Sequence, residues 1–133
     1  MATTLPAKWG AWTLTTVNAS AIANGGTGTT EAISLDGVNA ARFSVTAVYA
    51  SGTVTAGLLV YILTDVDGTN YEAVADAPDG FEMPKSSGGT FRRAFTVSGE
   101  DINSVKIHAV NSSGVQVTVT IRYRNQTITV VTV

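Results

Sequence analysis

The chain has 133 residues, a formal net charge of −2 with a pI near 5.1, no cysteine, and only 14% charged residues. That length makes one domain, able to bury roughly two thirds of its unfolded surface without covalent staples. The missing cysteines exclude thiolate metal sites, cysteine nucleophiles and disulfides, and the mildly acidic balance gives no overall pull toward nucleic acid.

Residues 1–10 lack the basic-then-apolar pattern of a secretory signal, and the absence of Cys fits an intracellular place of synthesis. The longest apolar run, 58–63, is far shorter than the ~20 residues of a membrane span, so no membrane partner is expected. Charge is scarce against the usual ~25%, while Thr, Val, Ala and Gly abound. This predicts that part of the surface is covered by a partner.

In chain order, residues 1–11 read as an N-terminal arm and 12–133 as a single β-sandwich domain. The arm region carries Pro6, Trp9 and Trp12, and a strand follows at 12–17. Residues 24–30, Asn-Gly-Gly-Thr-Gly-Thr-Thr, read as a flexible loop; with no Lys and no helix after the glycines, it is not a phosphate cradle. Strands are predicted at 32–35 and 42–49, the second placing Phe43, Val45, Ala47 and Tyr49 on one face. Residues 58–64 are apolar on both faces, the mark of a central strand covered on both sides.

Asp67-Gly68 signals a two-residue hairpin turn, pairing Val66 with Thr69, Thr64 with Tyr71 and Ile62 with Ala73, with Asp65 opposite Asn70. Residues 76–89, rich in Pro, Gly and Ser, read as the longest irregular segment, with Phe81 as its candidate recognition residue. Next comes a strand at 90–97, where Arg93 shares a face with Phe91, Phe95 and Val97. Such an arginine either snorkels at a sheet edge or pairs across a subunit contact.

Strands at 104–110 and 115–123 both alternate strictly, the second with Val115, Val117, Val119, Ile121 and Tyr123 on one side. A three-residue loop at 112–114 would pair Ala109 with Val117, Ile107 with Val119 and Val105 with Ile121, leaving Gly114 for a left-handed position. A last strand spans 127–133. Eight or nine strands with no helix make an all-β, antiparallel, jelly-roll-like sandwich.

No catalytic constellation stands out, and no enzyme activity and no cofactor are expected. His108, the single histidine, falls on the polar face with no Gly-x-Ser-x-Gly nucleophile elbow in the chain. Asp65, Asp67 and Asn70 offer oxygen ligands to a calcium ion, but lack the spacing and glutamate of an EF-hand and suit a tight turn better. Arg92, Arg93, Arg122 and Arg124 are half of the cations. Few aromatics alternate with them, so a solvated or protein-facing patch is expected and no nucleic-acid partner. Asn18, Asn111 and Asn125 match the glycosylation sequon as chance matches in an Asn/Ser/Thr-rich chain.

Ile128, Val130, Val131 and Val133 form an uncharged apolar strand that must be paired within the sandwich or against another subunit. With Trp9, Trp12 and Arg93 they are the candidate interface residues, the arm docking on a neighbouring chain.

The stretch 58–74, Leu-Leu-Val-Tyr-Ile-Leu-Thr-Asp-Val-Asp-Gly-Thr-Asn-Tyr-Glu-Ala-Val, resembles the hairpin of small β-sandwich virion proteins of tailed bacteriophages. The Met-Ala-Thr-Thr-Leu-Pro start and the Thr/Val/Ala/Gly bias suit that group. The resemblance implies a structural protein located in the virion: a head decoration (cement) protein, or a tail or fibre module. Its partners would be the major capsid or another virion protein and copies of itself, as a trimer. A similar hairpin occurs in carbohydrate-binding jelly rolls, which implies the alternative of a glycan-binding or host-adhesion module.

Overall fold

A computed structural model of the chain describes residues 2–4, 8–77, 79–99, 102–127 and 130–132, with the backbone alone for 2–4 and 130–132. Its strands are β1 (Ala2–Thr4), β2 (Lys8–Trp9), β3 (Thr13–Leu14), β4 (Ser20–Ile22), β5 (Thr27–Thr29), β6 (Ile33–Ser34), β7 (Ala40–Tyr49), β8 (Leu59–Thr64), β9 (Gly80–Glu82), β10 (Thr90–Ser98), β11 (Ser104–Val110), β12 (Val117–Thr127) and β13 (Val130–Thr132). One 3₁₀ turn, Val74–Asp76, interrupts them.

Two antiparallel sheets pack face to face. The first runs β10–β7–β12, with β2, β3 and β4 in series along the other side of β12. The second runs β9–β8–β11, with β5 and β6 in series along β11. With β2–β4 taken as the first strand and β5–β6 as the second, the pairing is nested. The first strand pairs with β12, the second with β11, β7 with β10, and β8 with β9. Two sheets joined in that order are a jelly roll, so the expected architecture holds.

Alternation explains which residues turn inward. Phe43, Val45, Ala47 and Tyr49 of β7 and Val117, Val119 and Ile121 of β12 are buried, facing Leu58, Val60, Val105, Ile107 and Ala109 of the second sheet. Central β8 is covered on both sides at one point: Val60 points into the core, while Leu63, of opposite parity, is also buried. The first strand is broken at Thr15, which lies between β3 and β4. Its hydroxyl donates to Ile121 O (2.8 Å) and accepts from Val17 N–H (3.2 Å). A broken edge resists pairing with a foreign strand.

Several expected pairings are corrected. Ala109, Ile107 and Val105 do not pair with Val117, Val119 and Ile121; β11 pairs with β8, β12 pairs with β7, and the two apolar faces meet across the core. Residues 111–116 therefore form an arch between sheets rather than a hairpin loop. Gly114 does take the left-handed conformation (φ 96°), and a Cβ there would come within 2.9 Å of Thr53 O. The arch is plugged by Asn111. Its Nδ2 donates to Ile22 O and Val115 O, both at 2.8 Å, and its Oδ1 accepts from Ser113 N–H (3.0 Å) and Ser113 Oγ–H (2.6 Å). Burial of this asparagine closes its sequon to modification.

The turn after β8 is one residue longer than expected. Asp65 bridges Tyr71 rather than Asn70, and Val66 N–H donates to Asn70 O (2.8 Å). Ile62 meets Asp79 O rather than Ala73, because the chain leaves the ladder through the 3₁₀ turn. Residues 27–29, expected in a flexible loop, pair with β11, and 80–82, expected in an irregular one, pair with β8.

Candidate functional site

The acidic turn uses its own oxygens. Asp67 Oδ1 accepts from Thr69 N–H (2.9 Å) and Asn70 N–H (2.7 Å), Asp67 Oδ2 from Asn70 Nδ2 (2.8 Å), and Asp65 Oδ1 from Gly68 N–H (3.3 Å). These bonds, led by the Asn70 side chain, hold the Asp67 carboxyl below the ordinary aspartate range. Among the described residues no three His, Asp or Glu side chains converge as a metal site. Asp65, Asp67 and Asn70 sit together as the sequence suggests, and their hydrogen bonds engage them in turn chemistry.

His108 stands on the outer face of the second sheet, in register with Thr29 on one side and Tyr61 on the other. Its Nδ1 bonds Thr29 Oγ1 at 2.6 Å, and partial burial pushes its pKa down. The unfolded imidazole, with a pKa near ~6.5, protonates first on acidification. Stability from this group is therefore present above that pH and is lost as pH falls through the lower folded value. The urea midpoint should fall between pH 7 and 5.5, and more steeply for the wild type than for His108→Gln. Parallel profiles would overturn this assignment.

Phe81 stands in β9. Its ring packs edge-on against Phe95 (5.4 Å between centroids), and the Arg93 guanidinium lies 4.2 Å from its centroid. Arg93 is exposed at the β10 edge although its strand parity, opposite Val45, faces inward, which is the geometry of a snorkelling arginine. Its cation covers the ring that the sequence offered as a recognition platform.

The tryptophans lie at the opposite edge of the same sheet. Trp9 pairs with Gln126, and Gly10 N–H donates to Asn125 O (2.8 Å), so from Lys8 onward the stretch expected as an arm is the edge of the chain's own sheet. The Arg124 guanidinium lies 5.1 Å from the Trp9 ring and 4.8 Å from the Trp12 ring. Val130 and Val131 belong to β13, which pairs with β1 as a separate two-stranded ribbon joining the two terminal segments. Ile128 and Val133 lie outside the described residues.

Sequence reasoning missed a concavity at one end of the sandwich. A polar hollow of about 380 Å³ is lined by Asp36, Asn39 and Asn103 with Leu35 and Val38 beside them. Ile102 separates it from a second, smaller hollow of about 240 Å³ beside Thr64, Asp79 and Thr96. These residues are dispersed in the chain, and only the fold brings 35–39 together with Gly99, Ile102 and Asn103 at one end. Arg42 was also missed as a surface cation. It alternates with buried Phe43, but its position directly opposite Arg124 is visible only once β7 and β12 are paired.

No protein-family model matches this sequence, and no curated protein does either.

Proposed function

We propose that this chain is a non-enzymatic structural protein of a tailed-bacteriophage virion, a decoration protein that clamps neighbouring coat subunits. The observation that carries the reading is the nested strand pairing of a jelly roll, an architecture that recurs in viral shells and in lectins. The Asp-Gly-Thr-Asn hairpin adds the family resemblance. Two side chains that could do chemistry have structural partners: Asp67 closes a turn, and His108 bonds a threonine on an open face. The action would be mechanical, a rigid sandwich burying surface across a subunit junction and raising the cost of pulling the shell apart. A set of three around a local three-fold axis would suit that role.

The test is the protein composition of purified virions from the system that produces the chain, with the solution mass of the isolated protein alongside. The expected result is the chain in virions at a copy number comparable with the coat subunit. Its absence from virions would sink the proposal.

A second reading, a glycan-binding module, is favoured by the polar end hollow, whose Asp36, Asn39 and Asn103 suit sugar hydroxyls. It predicts glycan binding by the isolated chain that Asn103→Ala abolishes. A glycan screen with no binding would remove it.

A further inference from the structure

Charge is segregated between the two sheets. Residues 8–22, 40–49, 90–98 and 117–127, which build the first sheet, hold Lys8, Arg42, Arg92, Arg93, Arg122 and Arg124, six of the eight cations. They hold none of the ten Asp and Glu residues. Glu31 reaches this sheet only at its edge, where Oε2 accepts from the Thr16 backbone N–H (2.9 Å).

On the outer face the arginines cluster. Arg124 is the direct cross-strand partner of Arg42, and Arg122 lies two residues along the same strand, opposite Ser44 and Leu14. Like charges directly opposite on a sheet face repel. Arg42 bonds Thr96 Oγ1 (3.1 Å), Arg124 rests on the two indoles, and Arg124 Nε has no hydrogen-bond partner among the described residues. Among the described residues, three of the four large apolar residues that stand exposed are on this face too: Trp12 (42%), Leu14 (48%) and Val48 (39%).

We infer that this outer face, anchored by Arg42, Arg122 and Arg124, is a docking surface for an acidic patch on another protein. Arginine and tryptophan enriched, with carboxylates and lysine depleted, is the composition of a protein-binding surface. The size fits. Four strands ~4.8 Å apart and ten residues long at ~3.3 Å each give roughly 600 Å² of face, close to the ~800 Å² each partner contributes to a standard interface.

Single-stranded nucleic acid fits less well, because Arg124 occupies the tryptophan faces on which bases would stack. A second copy also fits less well, since the chain's own carboxylates are spread over residues 31–36, 65–82 and 100–101.

The inference deepens the decoration-protein reading and rests on it for the natural partner, the coat shell. The experiment is co-sedimentation of the full chain with coat shells lacking it, across a range of NaCl. It compares wild type, Arg42→Glu/Arg124→Glu, Arg122→Glu, and Lys85→Glu/Lys106→Glu as a control of equal charge change. Unchanged thermal melts verify folding. The expected result is salt-sensitive binding that falls roughly tenfold or more in the arginine variants and changes less than about twofold in the control.

Shell binding that survives in the arginine variants would overturn the inference and leave the reading intact. If no form binds shells, the reading fails, and labelled poly-L-glutamate and oligo-dT decide the face. Poly-L-glutamate binding lost in the arginine variants sustains the inference. Preference for oligo-dT, binding of neither probe, or self-association abolished by the same variants overturns it.

Discussion

Replacing Asn111 by alanine is expected to destabilise the fold by about 3–5 kcal/mol, from four buried hydrogen bonds at a net ~0.5–1.5 kcal/mol each. Asn111 is fully buried, and its amide satisfies Ile22 O, Val115 O and both donors of Ser113. Alanine deletes all four bonds and admits no compensating side chain. Ser113 Oγ keeps a bond to Val115 O (3.0 Å) and Ile22 keeps its ladder pairing with Val117, so the two carbonyls are partly rescued, while Ser113 N–H loses its partner.

At this chain length the melting temperature should drop by roughly 10–20 °C. Asn111→Asp sharpens the test. It preserves shape and the Oδ1 acceptor but turns a carboxylate oxygen toward two carbonyls where Nδ2 had donated. It should be no better than alanine at neutral pH. A loss below about 1 kcal/mol for either variant, measured by urea unfolding, would mean that the arch does not depend on this plug.

Phe43→Ala is expected to lower stability by about 3–5 kcal/mol, the usual range for a buried aromatic truncated in place. Phe43 is the middle of a row of three rings across the first sheet, in register with Phe95 on one side and Tyr123 on the other. Its ring stacks on Phe95 at 5.3 Å and 15°, and lies 6.1 Å from Tyr123. Removing the central ring loses its own burial and strips an aromatic contact from each neighbour. Phe95→Ala should cost clearly less, because Phe95 is half-buried on the edge strand β10. Equal losses for the two variants, read from urea midpoints, would contradict the placement of Phe43 at the centre of the row.

Both variants concern residues whose weight the sequence showed unequally. The alternation Phe43, Val45, Ala47, Tyr49 announces an inward face in any fold that makes 40–49 a strand. Asn111 follows that strand grammar nowhere. In a hairpin it would be a solvated turn residue, and only the arch between sheets buries it and surrounds it with backbone groups needing partners.

The candidate site divides in the same way. The side-chain chemistry of the Asp65–Asn70 turn was legible because its side-chain bonds join residues at most three positions apart. The Arg93–Phe81 contact, the Arg124 stack on two indoles and the end hollow all join segments far apart in the chain. No local pattern carries them.

The sequence by itself determined the all-β class, the inward parity of the long strands and the left-handed Gly114. Each depends on side-chain alternation or a single residue's allowed backbone angles, which act over a few positions. Only the tertiary structure decided which strand lies beside which. Apolar faces such as Val105-Ile107-Ala109 and Val117-Val119-Ile121 satisfy the same pattern side by side in one sheet or face to face across a core. The choice between those two arrangements separated β11 from β12, gathered the arginines onto an acid-free sheet and left the carboxylates elsewhere. The distribution of charge over this protein is therefore a product of its topology.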